Sequence, residues 1–134
     1  MKVVAFLLFE RFIRQSGKTI PAFELDTVDA KRFPFTGSLV CYLQVEIDQA
    51  DEGVPVAIRY ELAPNGDGAS GAVATLSNVE RIAPMRQDGY RVTRFRDYME
   101  VEFSIATPGL YEARAYVDDV PVAVYPLLAR EWKQ

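Results

Sequence analysis

Alternation of apolar and polar residues with a period of two is the feature that most constrains this chain. Because successive side chains of a β-strand point to opposite faces, a strand buried on one face is apolar at every second position. In residues 39–48 the odd positions are apolar, whereas Tyr42, Gln44 and Glu46 lie on the other face. Residues 56–62 and 98–105 alternate in the same way. The sequence therefore predicts an all-β fold.

Turn-forming residues between the alternating segments favour a two-sheet antiparallel β-sandwich of immunoglobulin-like type, with little or no helix. We expect residues 111–124 to form a hairpin around Asp118 and Asp119, with Val120, Val122 and Val124 facing inward. A turn at residues 15–18 leads into a predicted strand over residues 19–28, and residues 78–86 could hold a short helical turn. With no repeat or linker, residues 1–134 are predicted to be one domain.

Composition limits the classes of partner that we expect. The net charge is −4 and the 15 Lys and Arg residues are scattered, so we expect no nucleic-acid partner. The apolar run at residues 3–9 is too short for a membrane helix and lacks a cleavage site, so we interpret it as a strand and expect no membrane association. A single cysteine excludes an intramolecular disulfide and indicates a cytoplasmic protein.

The absence of histidine argues against most catalytic and metal chemistry, because imidazole titrates near neutral pH and is the commonest metal ligand. Cys41 lies on the apolar face of its strand, where we expect an inert core thiol rather than a nucleophile. Residues 65–68, Asn-Gly-Asp-Gly, resemble a calcium loop but lack the closing Glu, so we interpret them as a turn. We predict no catalytic residue, no metal and no cofactor.

Two pairs of carboxylates leave one enzymatic alternative open. Glu100 and Glu102 lie two residues apart on one strand face, about 7 Å along the chain, a spacing that could serve glycoside hydrolysis. Glu24 and Asp26 form a similar pair. Such chemistry needs a cleft that raises the pKa of one carboxyl group, and alternating Glu on a strand is ordinarily a solvated face. We therefore favour the solvated face.

Aromatic and basic residues supply the candidate binding surfaces. Four tyrosines are predicted to face away from the apolar set, and tyrosine is enriched at protein interfaces. Residues 83–97 are locally basic and form either a solvated connection or a docking site for an acidic partner. The run at residues 3–9, apolar on both faces, favours self-association. The candidate interface residues are Tyr42, Tyr98, Tyr116, Tyr125, Arg91, Arg94 and Arg96.

Three stretches carry a family resemblance. They are residues 1–8 (MKVVAFLL), residues 16–18 (SGK) and residues 108–114 (PGLYEAR). Together they resemble a bacterial family of small, uncharacterised, immunoglobulin-like β-sandwich proteins of unknown function. The resemblance implies the fold, with Tyr111 anchoring the strand after the Pro-Gly turn, and implies no catalytic or ligand residue. Phe9 and Glu10 stand where members of the family often have Cys-Asp.

Taken together, these features predict a non-enzymatic binding or scaffolding module that acts through protein–protein contacts, as a homo-oligomer or with another protein. A carbohydrate-binding module or a phage-type structural subunit is the first alternative, because the same sandwich serves all three functions. A hydrolase based on Glu100 and Glu102 is the second. The sequence specifies no small-molecule ligand.

Overall fold

Two β-sheets face each other across an apolar core in a computed structural model of the chain, which describes residues 2–47, 50, 52–65, 74–75, 79–82 and 93–132. The strands are β1 (Lys2–Gln15), β2 (Lys18–Glu24), β3 (Thr27–Ala30), β4 (Phe35–Ile47), β5 (Pro55–Pro64), β6 (Ala74–Thr75), β7 (Val79–Ile82), β8 (Thr93–Ile105), β9 (Gly109–Val117) and β10 (Val120–Glu131). Sheet A has the order β2-β1-β4-β8, and sheet B has the order β3-β10-β9-β5-β6, with β7 also paired to β5.

The predicted all-β sandwich is confirmed, and no α-helix occurs in the described ranges. Strand pairs are antiparallel except that β3 runs parallel to β10. The hydroxyl of Tyr111 donates a hydrogen bond of 2.7 Å to the carbonyl of Thr107, which anchors the start of β9 as the resemblance implied. The immunoglobulin-like assignment itself stays a prediction.

The core lies where the alternation placed it. Leu43 on β4 is fully buried, and Val101 and Phe103 on β8 are each 4 % exposed. Ile58 and Tyr60 of β5 face them from sheet B and are each 1 % exposed. The apolar faces of the two sheets thus bury each other, which is the main source of stability in a sandwich.

Two tight turns close hairpins at the predicted positions. Ser16 and Gly17 have φ values of 52° and 76° and connect β1 to β2, and Asp118 and Asp119 have φ values of 50° and 64° and connect β9 to β10. Two central residues with positive φ are typical of the type I′ turn, whose twist matches that of the flanking strands. The turns therefore fix the register of both hairpins.

Strand β1 is shared between two partners along its length. It pairs with β4 from Lys2 to Phe9 and with β2 from Phe9 to Gln15. Residues 10–24 therefore form a hairpin arm that continues beyond the β1–β4 pairing.

The predicted single strand over residues 19–28 is wrong, because the chain crosses from one sheet to the other within it. Strand β2 belongs to sheet A and β3 to sheet B. At the crossing, the backbone N–H of Leu25 donates to the carbonyl of Leu8, and the N–H of Leu128 donates to the carbonyl of Asp26. Residues 79–82, for which a helical turn was considered, form β7.

The inward face of β10 differs from the prediction because the strand contains a β-bulge. Its register against β9 shifts between Pro121 and Ala123, and a shift by one residue exchanges the two faces of a strand. Val122 packs against the core as predicted, but Val120 and Val124 are each 58 % exposed. Beyond the bulge the inward residues are Ala123, Tyr125, Leu127 and Ala129.

Candidate functional site

Strand β8 forms one edge of sheet A and is the longest edge strand among those described. It has 13 residues and pairs with β4 alone within the described ranges. The opposite edge, β2, has seven residues and contains Pro21, which lacks a backbone donor. In sheet B, the edge strands β3, β6 and β7 have four, two and four residues. An edge strand presents unpaired N–H and C=O groups to which another strand can bind.

The outward side chains of β8 form a line that we call the β8 stripe. Its members are all exposed, and they alternate with inward residues such as Phe95 and Val101, which are buried. Two positive charges, one aromatic ring and two negative charges follow each other along the strand. The β8 stripe consists of Arg94, Arg96, Tyr98, Glu100 and Glu102.

Tyr98 belongs to an aromatic cluster on the outer face of sheet A. It lies directly opposite Tyr42 of β4, and the two rings stack with centroids 5.4 Å apart. Phe9 meets the Tyr42 ring edge-on at 6.1 Å, and Phe12 of the hairpin arm meets Tyr98 edge-on at 6.5 Å. Both arrangements are favourable for aromatic rings. The cluster therefore holds Tyr98 in place while 42 % of its surface stays exposed.

Part of the outer face beside the cluster is buried. Val40 and Gln44 flank Tyr42 on the outer face of β4, yet they are 0 % and 8 % exposed. The hydroxyl of Tyr42 donates to the Gln44 side-chain oxygen at 3.2 Å. Phe9 and Phe12 were not predicted to belong to the candidate site. The run at residues 3–9, which is apolar on both faces, could have indicated Phe9, but it ends before Phe12.

Two of the three basic residues of the prediction, Arg94 and Arg96, lie within β8 rather than in a connection between strands. Arg94 is opposite Glu46 on β4, with 3.7 Å between its guanidinium nitrogen and the carboxylate oxygen. Arg96 is opposite Gln44 and is exposed. Arg91 lies outside the described residues. The structure thus brings Arg94, Arg96 and Tyr98 together on one strand.

Tyr116 lies on the other side of the sandwich. On the outer face of sheet B, the guanidinium of Arg59 lies 3.8 Å from its ring centroid. Arg59 also pairs with Glu61 at 3.2 Å, and Glu61 pairs with Arg114 at 2.9 Å. Glu112 binds the same Arg114, and its hydrogen bond raises the pKa of the guanidinium. This ladder of charges satisfies its own members, so Tyr116 does not extend the β8 stripe.

The prediction that Tyr125 faces outward is wrong. Because of the bulge in β10, its ring points inward, where it packs edge-on against Phe6 with centroids 6.5 Å apart. Its hydroxyl donates to Glu24 at 3.2 Å, and partial burial raises the pKa of Tyr125. Of the four tyrosines, only Tyr42 and Tyr98 therefore share a surface.

The candidate carboxylates do not line the cleft that the described residues form. Glu100 and Glu102 are exposed on the outer face, opposite Val40 and Ser38. A cleft of about 410 Å³ is found elsewhere, lined by residues that include Glu10, Asp29, Phe35 and Phe103. Its carboxylates are in ion pairs, Glu10 with Arg11 and Asp29 with Arg130. The hydrogen bond from Arg130 lowers the pKa of Asp29.

A buried polar network links the two sheets beneath the β8 stripe. The carboxylate of Asp97, 3 % exposed, accepts hydrogen bonds from the Tyr60 hydroxyl at 2.7 Å and from Arg81 at 3.0 Å. Burial, and secondly the Asp97 charge, raises the pKa of Tyr60. The same causes raise the pKa of Cys41, so that thiol keeps its proton at neutral pH. Cys41 is buried as predicted, whereas the sequence analysis did not find the network.

The described part of the chain contains no group of three or more His, Cys, Asp or Glu side chains arranged to hold a metal ion. Residues 66–68 of the Asn-Gly-Asp-Gly turn lie outside the description. The structure contains, over the same ranges, no helix long and apolar enough to cross a membrane.

Comparison with known proteins gives a structural likeness and no family. No protein-family model matches the sequence, and no curated protein matches it. The fold is similar to that of Pseudomonas fluorescens alkylpurine DNA glycosylase AlkC bound to DNA containing an abasic site analog. The TM-score is 0.51 at 9 % sequence identity, over 96 % of this chain and 30 % of the glycosylase chain. This chain thus spans less than a third of that protein.

This likeness corrects the expectation about nucleic acid. The prediction that excluded nucleic acid as a partner is wrong as an exclusion, because a chain of similar fold belongs to a protein bound to DNA. The physical reason is that net charge averages over the whole surface, whereas binding depends on local charge such as that of Arg94 and Arg96. A likeness at 9 % identity concerns the fold alone.

Proposed function

We propose that this protein is a non-enzymatic binding or scaffolding module that acts through protein–protein contacts, with the β8 stripe and the edge of β8 that no described strand pairs as its binding surface. The observation that carries the proposal is the 13-residue edge strand, which pairs on one side alone within the described ranges. Addition of a strand to such an edge supplies backbone hydrogen bonds for affinity, and the alternate side chains supply specificity.

The composition of the β8 stripe supports the same conclusion. Tyrosine and arginine are the residue types enriched at the centres of protein interfaces. Tyr98 is held by its stack on Tyr42 and by the edge of Phe12, so binding would restrict its side chain little further. A preorganised, half-exposed ring between charged residues is thus suited to a specific contact.

The arrangement favours a protein over a sugar as the partner. A sugar-stacking platform requires free ring faces, whereas Tyr42 and Tyr98 stack on each other and Tyr42 is half-buried.

Sedimentation equilibrium over a range of concentrations tests the proposal. We expect the mass of the purified protein to rise above the 15.1 kDa of one chain as concentration increases. Tyr98→Ser should shift this transition to higher concentration, and the matched control Tyr116→Ser, on the outer face of sheet B, should not. A mass of one chain at every concentration, or equal effects of both variants, would contradict the proposal.

DNA is the competing ligand, since the similar glycosylase chain is bound to DNA. Fluorescence anisotropy with a labelled duplex that contains an abasic-site analog measures it directly. Binding that disappears in Arg94→Glu, in a protein that does not self-associate, would assign the β8 stripe to nucleic acid and overturn the proposed protein–protein function.

A further inference from the structure

The charges of the β8 stripe are arranged symmetrically about Tyr98. Arginines lie four and two residues before Tyr98, and glutamates lie two and four residues after it. All five side chains are exposed on one face of a strand whose outer edge is unpaired within the described ranges. Reversing the direction of such a strand converts each positive position into a negative one. The stripe is therefore complementary to itself in antiparallel orientation.

We propose that the partner of β8 is β8 of a second copy of this chain, paired antiparallel about a two-fold axis at Tyr98. This inference rests on the proposed function and names its partner. In this register Arg94 of one copy faces Glu102 of the other, and Arg96 faces Glu100. Because each copy contributes a four-stranded sheet A, the dimer contains one continuous eight-stranded sheet. The interface is isologous, as in most homodimers.

The order of the charges selects this register over the alternatives. Opposite charges directly across an antiparallel pair are stabilising, and like charges are destabilising. Centring the pair on Tyr98 gives four cross-strand ion pairs, whereas a slip of two residues in either direction places one Arg or one Glu opposite Tyr98. A slip of one residue would place inward side chains of one copy opposite outward side chains of the other.

The inward side chains of β8 agree with the same register. Phe95 and Val101, which are 8 % and 4 % exposed, lie equally far from Tyr98 on either side. Each would face the other across the two-fold axis, so at these positions an apolar residue meets an apolar residue, while the inward Asp97, held by Tyr60 and Arg81 of its own copy, faces Met99. The sandwich cores would thereby continue from one copy into the other.

Charged side chains on an edge strand have a second use, because they can discourage pairing and so prevent aggregation. Charges that serve this purpose repel a second copy. In the β8 stripe, the signs would repel in parallel orientation and attract in antiparallel orientation. If the charges served only to prevent aggregation, the wild type would be a monomer and the charge-reversal variants would be monomers too.

Charge reversal in two complementary variants tests the pairing. Arg94→Glu/Arg96→Glu makes the stripe wholly negative, and Glu100→Arg/Glu102→Arg makes it wholly positive. Each variant turns all four ion pairs into repulsions, so we expect each to weaken its homodimer by at least about 100-fold. An equimolar mixture should form a heterodimer, detectable by native mass spectrometry. The fourfold variant, with all charges exchanged, should regain the homodimer.

The control is Lys31→Glu/Arg32→Glu, which changes two exposed residues between β3 and β4 and alters the net charge as Arg94→Glu/Arg96→Glu does. It should dimerise like the wild type, and circular dichroism should show every variant folded. If the wild type self-associates but neither variant weakens it, the β8 stripe is not the binding surface, and only the general protein–protein function stands. If the variants weaken self-association but their mixture forms no heterodimer, the antiparallel β8 pairing alone is wrong. A wild-type protein that stays monomeric overturns both.

Discussion

The buried hydrogen bond between Tyr60 and Asp97 should contribute more to stability than an otherwise similar tyrosine hydrogen bond. Tyr60→Phe removes only the hydroxyl that donates to Asp97 at 2.7 Å. Because the carboxylate is 3 % exposed, water cannot replace the lost donor without entering the core. Hydrogen bonds to charged groups contribute about 1.5–3 kcal/mol, and we expect a loss of free energy of unfolding in that range.

Tyr111→Phe is a matched control, because it also removes a hydroxyl that donates over 2.7 Å. Its acceptor is the neutral backbone carbonyl of Thr107, so the expected loss is about 0.5–1.5 kcal/mol. Both tyrosines are buried, at 1 % and 6 % exposure, and neither substitution leaves a large cavity. The difference between the two variants therefore isolates the effect of the acceptor's charge.

Urea unfolding at pH 7, followed by tryptophan fluorescence and far-ultraviolet circular dichroism, gives both free energies by linear extrapolation. The measurement should be made at a concentration where all variants are monomeric, because dimer formation would add to apparent stability. A loss in Tyr60→Phe no larger than that in Tyr111→Phe would refute the reasoning. It would mean that Asp97 is adequately held by Arg81 alone.

Two further predictions use the same assay. Since burial raises the pKa of Tyr60 above its ordinary 10.0 and that of Cys41 above 9.0, the folded chain keeps protons that the unfolded chain loses. The stabilisation from these protons is thus fully present below these values. At higher pH the free energy of unfolding falls by up to about 1.4 kcal/mol per pH unit and group, so the difference in free energy of unfolding between wild type and Tyr60→Phe should narrow above pH 10.0. A constant difference would contradict this prediction. In β10, Leu127→Ala should lower the free energy of unfolding by about 2–5 kcal/mol, and Val124→Ala, at an exposed position, by less than about 0.5 kcal/mol. Equal losses would contradict the assignment of inward and outward faces beyond the bulge.

Local alternation predicted the strands that bury one face and expose the other. In β4, Leu43 and its neighbours at every second position face the core, because the even positions between Tyr42 and Glu46 are polar or aromatic. Alternation cannot distinguish the faces of β10, where residues at odd and even positions are both apolar. Only pairing with β9 shows that a bulge exchanges them.

Asp97 was missed for a different reason. Asp97 occupies an inward position of β8, where alternation predicts an apolar residue. The predicted alternating segment therefore begins at Tyr98, whereas the exposed positions of the strand begin four residues earlier, at Arg94. A carboxylate is tolerated at the position of Asp97 because Tyr60 and Arg81 donate to it from β5 and β7. These partners are distant in sequence, and no local pattern indicates them.

The candidate site likewise depends on contacts that the sequence does not order. Tyr98, Arg94 and Arg96 can be picked out from the sequence, yet their accessibility to a second chain depends on the place of β8 at the edge of sheet A. If β8 were a central strand, a second neighbouring strand would pair with its edge. The charged side chains of β8 could then not line up with those of another chain along that edge. Strand order arises from long-range pairing, whereas composition and periodicity report only local preference.

The buried network and the proposed dimer are connected through the rigidity of β8. Its inner face is tied to sheet B where Asp97 meets Tyr60, and its outer face is fixed where Tyr98 stacks on Tyr42. These two anchors are adjacent residues on opposite faces at the centre of the strand. A strand held on both faces loses little conformational freedom when another strand pairs with it. The buried carboxylate, which costs solvation in the monomer, thus prepares the edge at the point where the proposed two-fold axis passes.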